Sequence, residues 1–229
     1  MPVTPITPVC TAILVAAGVS RRMGLDKLAW PLGGVPVLRR ALDALLAADS
    51  IAAVVLVCPD DRWKMLGGQS FLKPVIRVDG GATRQQSVAC GLEMLDAHTR
   101  FVAVHDAARP LVAPTDIDRC VAAAVEHRAA ALARRVTETM LRSDLADFST
   151  ERVDREQLWS METPQVFETQ LLRDACAAAA DRGWLATDEA SAVQAIGVRV
   201  KFIESRQPNL KITTPADLAL AAALLTQPS

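Results

Sequence analysis

Five short runs in this chain are apolar almost without interruption: CTAILVAA (10–17), AAVVLVC (52–58), KPVIRV (73–78), RFVAVH (100–105) and AAALA (129–133). A strand with one wet face alternates apolar and polar residues. Runs this continuous leave no side for water, which is the pattern of parallel strands covered on both faces. Between them, PVLRRALDALLAAD (36–49), RQQSVACGLEMLDA (84–97) and PTDIDRCVAAAVEH (114–127) space apolar residues three and four apart and read as helices, with Pro36 and Pro114 at leading positions. The alternation predicts an α/β fold: a Rossmann-like, doubly wound, mostly parallel sheet with right-handed crossovers.

The rhythm breaks after Ala133. Residues 134–165 are polar, with alternating pieces RRVTETMLR (134–142) and ERVDREQLW (151–159) on either side of SDLADFST, which reads as a β-hairpin leaving the main sheet. An insertion of this length needs a reason, and a partner subunit or a lid are the usual ones. Helices resume over 169–183 and 187–197, a strand follows at 198–205, and a last helix starts near Pro215. With 229 residues, 51% of them hydrophobic, the expected organisation is one domain, residues 1–229, with 134–155 as an inserted arm.

Charge narrows the partners. Lys and Arg number 25 against 26 Asp and Glu, so no global surface suits nucleic acid or a membrane, and any basic site must be local. No segment approaches the length of an apolar span, and MPVTPITPVC lacks the basic-then-apolar form of a signal peptide, so a soluble, cytoplasmic protein is expected. The five cysteines form no C-x-x-C pair and read as reduced core residues. The three histidines lack metal-ligand spacing, which disfavours zinc.

In a doubly wound sheet, ligands bind beyond the carboxyl ends of the strands. Ala16, Ala17 and Gly18 leave the first strand with minimal side chains, and Arg21, Arg22 and Lys27 crowd the same turn; backbone amides plus cations suit a polyphosphate, and a tight turn with solvated bases is the plainer alternative. The loop matches neither the P-loop nor G-x-G-x-x-G, which argues against a nicotinamide-dependent reductase. In VDGGATRQQSV, Gly80 and Gly81 end a strand and Thr83 to Ser87 open a helix able to read a base or ribose, or Thr83 is simply an N-cap. In VHDAARP, Asp106 at a strand end is a natural Mg²⁺ ligand beside phosphates and Arg109 a second anion contact, a capping Asp with an Arg partner being the alternative; His105 reads as structural. Arg155, Thr163, Thr187 and Lys211 stand in VDREQLW, ETPQ, TDEAS and NLKITT, each explicable alone as a cap, turn or surface charge.

Taken in order, HDAARP, GGATRQQSV, TPQVF, TDEAS and NLKITTPADL resemble the 2-C-methyl-D-erythritol 4-phosphate cytidylyltransferase family over about residues 12–225. The resemblance implies transfer of a cytidylyl group from CTP to a sugar-alcohol phosphate, a divalent cation such as Mg²⁺, and a homodimer whose arm reaches the partner's site. It implies that Ala16, Ala17, Gly18, Arg22, Lys27, Gly81 and Ser87 bind CTP, with Arg22 and Lys27 on the triphosphate and Asp106 on the metal. Arg109, Thr163, Thr187 and Lys211 match substrate or phosphate contacts, and Thr139 and Arg155 match those supplied by the other subunit. The catalytic set it implies is Arg22, Lys27, Asp106, Arg155 and Lys211. The residue types agree with the chemistry: a phosphate monoester, with its second pKa at about 6, is already largely dianionic at neutral pH and needs charge neutralisation more than a general base.

The chain departs from the family pattern at Ser20, where glycine is usual, at Asp26 and Leu28 around the lysine, at Ala82, at Glu138 and Leu141 in the arm, and at Glu162 before TPQ. Three other readings are open: ribitol-5-phosphate cytidylyltransferases share the fold and much of the motif set, molybdenum-cofactor nucleotidyltransferases share the first loop, and a non-catalytic nucleotide-binding module would keep the fold without the reaction.

Overall fold

A computed structural model describes residues 9–18, 26–67, 70–184 and 186–226. Its elements, in order, are β1 (Cys10–Val15), β2 (Pro31–Leu32), β3 (Val35–Pro36), α1 (Val37–Ala47), β4 (Ile51–Val57), α2 (Asp60–Met65), β5 (Val75–Val78), α3 (Arg84–Glu93), β6 (Phe101–Asp106), α4 (Pro114–His127) and β7 (Ala129–Arg135). They continue with β8 (Met140–Ser143), β9 (Ser149–Val153), β10 (Trp159–Glu168), α5 (Thr169–Asp181), α6 (Glu189–Ala195), β11 (Lys201–Glu204) and α7 (Pro215–Leu225).

Seven strands make one sheet in the order β11-β7-β10-β6-β1-β4-β5, parallel throughout except for β10, which runs antiparallel to both β6 and β7. Two apolar layers cover it. Ala12 and Leu14 of β1 pack with α1, α4 and α7, while Ile13 between them packs with α3, α5 and α6. Each central strand is therefore buried on both sides, which is why β1, β4 and β6 read as unbroken apolar runs.

Most expected elements recur with ends shifted by a few residues; the expected helix over 84–97 stops at Glu93 and the strand over 198–205 shortens to β11. The polar stretch after Ala133 is the larger correction. Arg134 and Arg135 still belong to β7, paired with Ser160 and Trp159, so the hairpin leaves the sheet only beyond them and its own strands are β8 and β9. Of the expected second piece, 151–153 fall in β9, and only Trp159 opens β10, a ten-residue sheet strand that takes up the rest of the polar stretch. Its period is hidden because Glu162, Thr163 and Gln165 are buried polar residues with hydrogen-bond partners elsewhere in the chain. The small β2–β3 hairpin and α2 add to the expected elements; Gly33 and Gly34, both at positive φ, make the two-residue turn that joins β2 to β3.

The five cysteines are unpaired, three of them buried. Among the described residues no helix is long and apolar enough to cross a membrane.

Candidate active site

β1 and β6 are neighbours at the point where the strand order reverses, and a cavity of about 340 Å³ opens beyond their carboxyl ends. Ala16, Ala17 and Gly18 form one wall, Gly81 to Arg84 with Ser87 the facing one, and Asp106 with Ala108 the base; Lys27 and Lys211 complete it.

Local sequence builds each wall. Gly80 lies so close to the first turn that a Cβ there would collide with the Ala17 Cβ and come within 2.8 Å of Ser87 Oγ. The Ser87 hydroxyl donates to the Thr83 carbonyl (2.9 Å) and accepts from the Gly81 amide (3.2 Å), so it shapes the glycine loop from beneath. Thr83 closes a capping box with Gln86, each accepting from the other's amide at 3.1 Å, and this fixes Arg84 as the first residue of α3. Lys211 hangs between two anchors: Asn209, whose amide donates to the Thr163 carbonyl (2.7 Å), and Ile212, whose N–H donates to the Ala108 carbonyl (2.8 Å).

These supports converge on Asp106. Arg84 Nε donates to Oδ1 at 3.0 Å and Lys211 Nζ to Oδ2 at 2.6 Å. Burial disfavours the carboxylate, but the two cations outweigh it and hold Asp106 far below the usual carboxylate range. Arg84 uses its other nitrogens on Glu189, at 2.6 and 2.9 Å, and its charge, opposed by burial, is secured by Glu189 and Asp106. Lys27 approaches from the first loop and donates to the Ile212 carbonyl at 2.7 Å. Three cations, Lys27, Arg84 and Lys211, and one carboxylate, Asp106, line the cavity, so its lining carries net positive charge.

A buried chain stands behind the carboxylate. The Asp106 N–H donates to Thr163 Oγ1 (3.1 Å), and Thr163 Oγ1 is 2.9 Å from His105 Nδ1, whose Nε2 is 3.2 Å from the Arg109 carbonyl. A carbonyl only accepts, so the ring proton belongs on Nε2 and the Thr163 hydroxyl donates to Nδ1. Burial favours this neutral ring, taking His105 down to about 4. Arg109 is also buried and donates to the carbonyls of Asn209 (2.6 Å) and Met161 (3.2 Å).

Of the residues singled out in the sequence, the cavity gathers Ala16, Ala17, Gly18, Lys27, Gly81, Ser87, Asp106 and Lys211. Arg109 and Thr163 sit behind Asp106 rather than on the wall; Thr187 pairs with Ser191 beside α6. Thr139 and Arg155 are exposed at the base of the hairpin, where the Arg155 guanidinium holds the Thr137 carbonyl. Ser20, Arg21 and Arg22 lie outside the described residues. Sequence reading passed over Arg84 and Glu189, although both stand inside motifs it quoted, and Arg62, which holds the first loop from α2.

Among the described residues no three His, Cys, Asp or Glu side chains gather into a metal cage. Each Asp106 oxygen has one protein donor and so one lone pair to spare, and the residue lines the cavity, a donor set that fits a Mg²⁺ ion held chiefly by ligand phosphates.

Residues 10–227 match the family model described as 2-C-methyl-D-erythritol 4-phosphate cytidylyltransferase. Proteins of that name from Prochlorococcus marinus (strain MIT 9313) and Aeromonas hydrophila are each 41% identical; the alignments cover 93% of this chain and 96% of the first, and 98% of this chain and 93% of the second. The crystal structure of the Thermus thermophilus enzyme of the same name superposes with a TM-score of 0.75 at 34% identity, over 93% of this chain and 97% of that one. In fold, the Anaerococcus prevotii 4-diphosphocytidyl-2C-methyl-D-erythritol synthase structure is similar at a TM-score of 0.84 and 24% identity, covering 95% and 98% of the two chains.

Proposed function

The chain belongs to the 2-C-methyl-D-erythritol 4-phosphate cytidylyltransferase family, and from that premise we propose that the cavity between β1 and β6 is where its reaction takes place. The enzyme transfers a cytidylyl group from CTP to 2-C-methyl-D-erythritol 4-phosphate, releasing pyrophosphate, in non-mevalonate isoprenoid biosynthesis. The observation that carries the site is the clamp of Arg84 and Lys211 on Asp106, with Lys27 across the cavity.

In this reading the cytidine lies along Gly81, Ser87 and the start of α3, and the triphosphate along the amides of Ala16 to Gly18, with Arg22 and Lys27 as its cations. A phosphate oxygen of the acceptor attacks the α-phosphorus of CTP as the bond to the β-phosphate oxygen breaks. Three anionic groups meet in that step, so positioning and positive charge do most of the work, and Lys27, Lys211 and Arg84 supply them. Asp106 would hold Mg²⁺, which would neutralise phosphate charge when bound. Arg109 and Thr163 act from behind by fixing Asp106 and the Asn209 segment; Thr187 marks the acceptor side.

The remaining contacts come from a second subunit. The β8–β9 hairpin exposes Leu141 and Phe148, 58% and 72% accessible, and two strands alone make a marginal structure in water. A homodimer in which the arm, residues 136–155 beyond the end of β7, brings Thr139 and Arg155 to the partner's cavity would account for that exposure, with residues 1–229 as one nucleotidyltransferase domain working in the cytoplasm.

Pyrophosphate release measured with CTP, Mg²⁺ and a panel of sugar-alcohol phosphates tests the assignment. Turnover with methylerythritol phosphate, lost in Lys211→Ala and Lys27→Ala, is expected. Turnover with ribitol 5-phosphate alone would overturn the acceptor, and full activity in both variants would move the site elsewhere.

A further inference from the structure

The first turn has an internal brace that none of the roles above uses. Arg62, the third residue of α2, is 6% exposed although it is an arginine on a short surface helix. Its Nη1 donates to the carbonyls of Ala16 and Gly18, the latter at 3.0 Å, at the point where the chain leaves β1. Its Nε and Nη2 form a two-pronged pair with Asp26, at 3.0 Å to Oδ2 and 3.1 Å to Oδ1. Asp26 in turn accepts from the Leu28 N–H at 3.1 Å, and the Asp26 carbonyl accepts from the Ala29 N–H at the same distance, so the turn that carries Lys27 is built on Asp26.

One planar guanidinium therefore ties the Ala16–Gly18 backbone to the residue directly before Lys27. Its rigid fork serves two carbonyls on one edge and a carboxylate on the other, which the point charge of lysine cannot do. The origin of the brace is topological: β4 runs beside β1, the Ala16 N–H continues that ladder by donating to the Val57 carbonyl at 2.8 Å, and α2 starts three residues later. Arg62 thus emerges next to the end of β1 with its side chain aimed under the turn.

We infer that Arg62 and Asp26 are positioning residues for the nucleotide: together they set the distance between Lys27 and the Ala16–Gly18 amides, and so the grip on the triphosphate. The inference rests on reading this cavity as the CTP site. Neither residue touches the ligand. The pair acts on phosphates and leaves the Gly81–Ser87 wall, where the cytidine lies, untouched.

The test compares binding of CTP and of cytidine by calorimetry, with CTP kinetics and melting temperature alongside, in the full-length enzyme. Asp26 is partly exposed, so Asp26→Ala keeps the fold; its affinity for CTP falls about tenfold, the worth of one charge-assisted pair, while cytidine binding stays within about twofold. Asp26→Glu, which keeps a carboxylate, recovers most of the loss. Arg62→Lys, tested in case loss of the arginine itself disturbs folding, shows the same split between CTP and cytidine. Lys27→Ala separates the two claims. If it weakens CTP and Asp26→Ala does not, the positioning role is wrong; if it leaves CTP untouched, the cavity reading fails and takes this inference with it. Equal losses for CTP and cytidine, in step with a lower melting temperature, would make the pair a general brace of the fold and overturn the proposal as well.

Discussion

Lys211 Nζ lies 2.6 Å from Asp106 Oδ2, so a carboxylate at the end of the most buried strand is held by a lysine 105 residues further along the chain. Arg84 holds the other oxygen, which makes Asp106 the electrostatic centre of the cavity. Asp106→Asn keeps the shape and removes the charge. The expected result is a fall in kcat of roughly a hundredfold or more and a weakened response to Mg²⁺, because pre-placed charge is worth most where charge develops. The melting free energy should drop by only about 1–2 kcal/mol, since Arg84 and Lys211 are partly open to water and can be solvated. Steady-state rates across a Mg²⁺ titration, with thermal melts, check both; a large stability loss with an unchanged metal response would assign Asp106 to structure alone.

His105 predicts a pH dependence of folding. Its ring is neutral and buried, with a folded pKa of about 4 against 6.5 for the free side chain. The sign follows: above 6.5 neither state takes the proton; between 6.5 and 4 the unfolded chain binds it and the native one does not. Stability is therefore full above 6.5 and is lost as pH falls through that window, by up to about 3 kcal/mol. Denaturant melts at intervals between pH 7 and 4 should show the slope, and His105→Gln, which has a donor and an acceptor but cannot charge, should flatten it. An unchanged slope in the variant would place the effect elsewhere.

Two glycines should separate folding from binding. A Cβ on Gly80 meets Ala17 and Ser87, so Gly80→Ala forces the first turn and α3 apart and costs about 1–3 kcal/mol of stability, with CTP binding weakened as a result. Gly18 has nothing within 4 Å of its would-be Cβ. Gly18→Ala should leave the melt within about 0.5 kcal/mol and still weaken CTP, because the methyl group stands on the cavity wall. Equal melts for the two variants would contradict this account of the walls.

The contrast between β6 and β10 explains how much of the molecule could be read without coordinates. FVAVHD declares itself because every side chain is buried and most are apolar, and Pro114 and Pro215 mark helix starts by a purely local rule. In β10, burial of Glu162 and Thr163 depends on Ser205 and His105, residues that come together only in the folded sheet, so the segment looks like a surface hairpin. The site divides in the same way. Lys27, Asp106 and Lys211 stand in motifs dense with other cues. Arg84 and Glu189, 105 residues apart, each resemble a solvated charge at a helix start until the fold sets Arg84 between Glu189 and Asp106. Arg62 gave no signal at all, since its partners are two backbone carbonyls and an aspartate 36 residues away.

The arm allows a test of subunit sharing that needs no structure of the dimer. Arg155 sits near the base of a hairpin whose apolar side chains are exposed in the single chain, and Lys27 sits in the cavity. If each arm serves the partner's cavity, Lys27→Ala and Arg155→Ala homodimers are both nearly inactive. In a mixed dimer, one site combines the two lesions and the other combines an intact cavity with an intact arm. Random mixing in equal amounts should then restore about a quarter of wild-type activity, because half the dimers are mixed and each has one good site of two. The measurement is pyrophosphate release after subunit exchange, with exchange shown independently by a tag on one variant. No recovery in exchanged dimers would place the arm on its own subunit, and full activity of Arg155→Ala alone would remove the arm from the reaction.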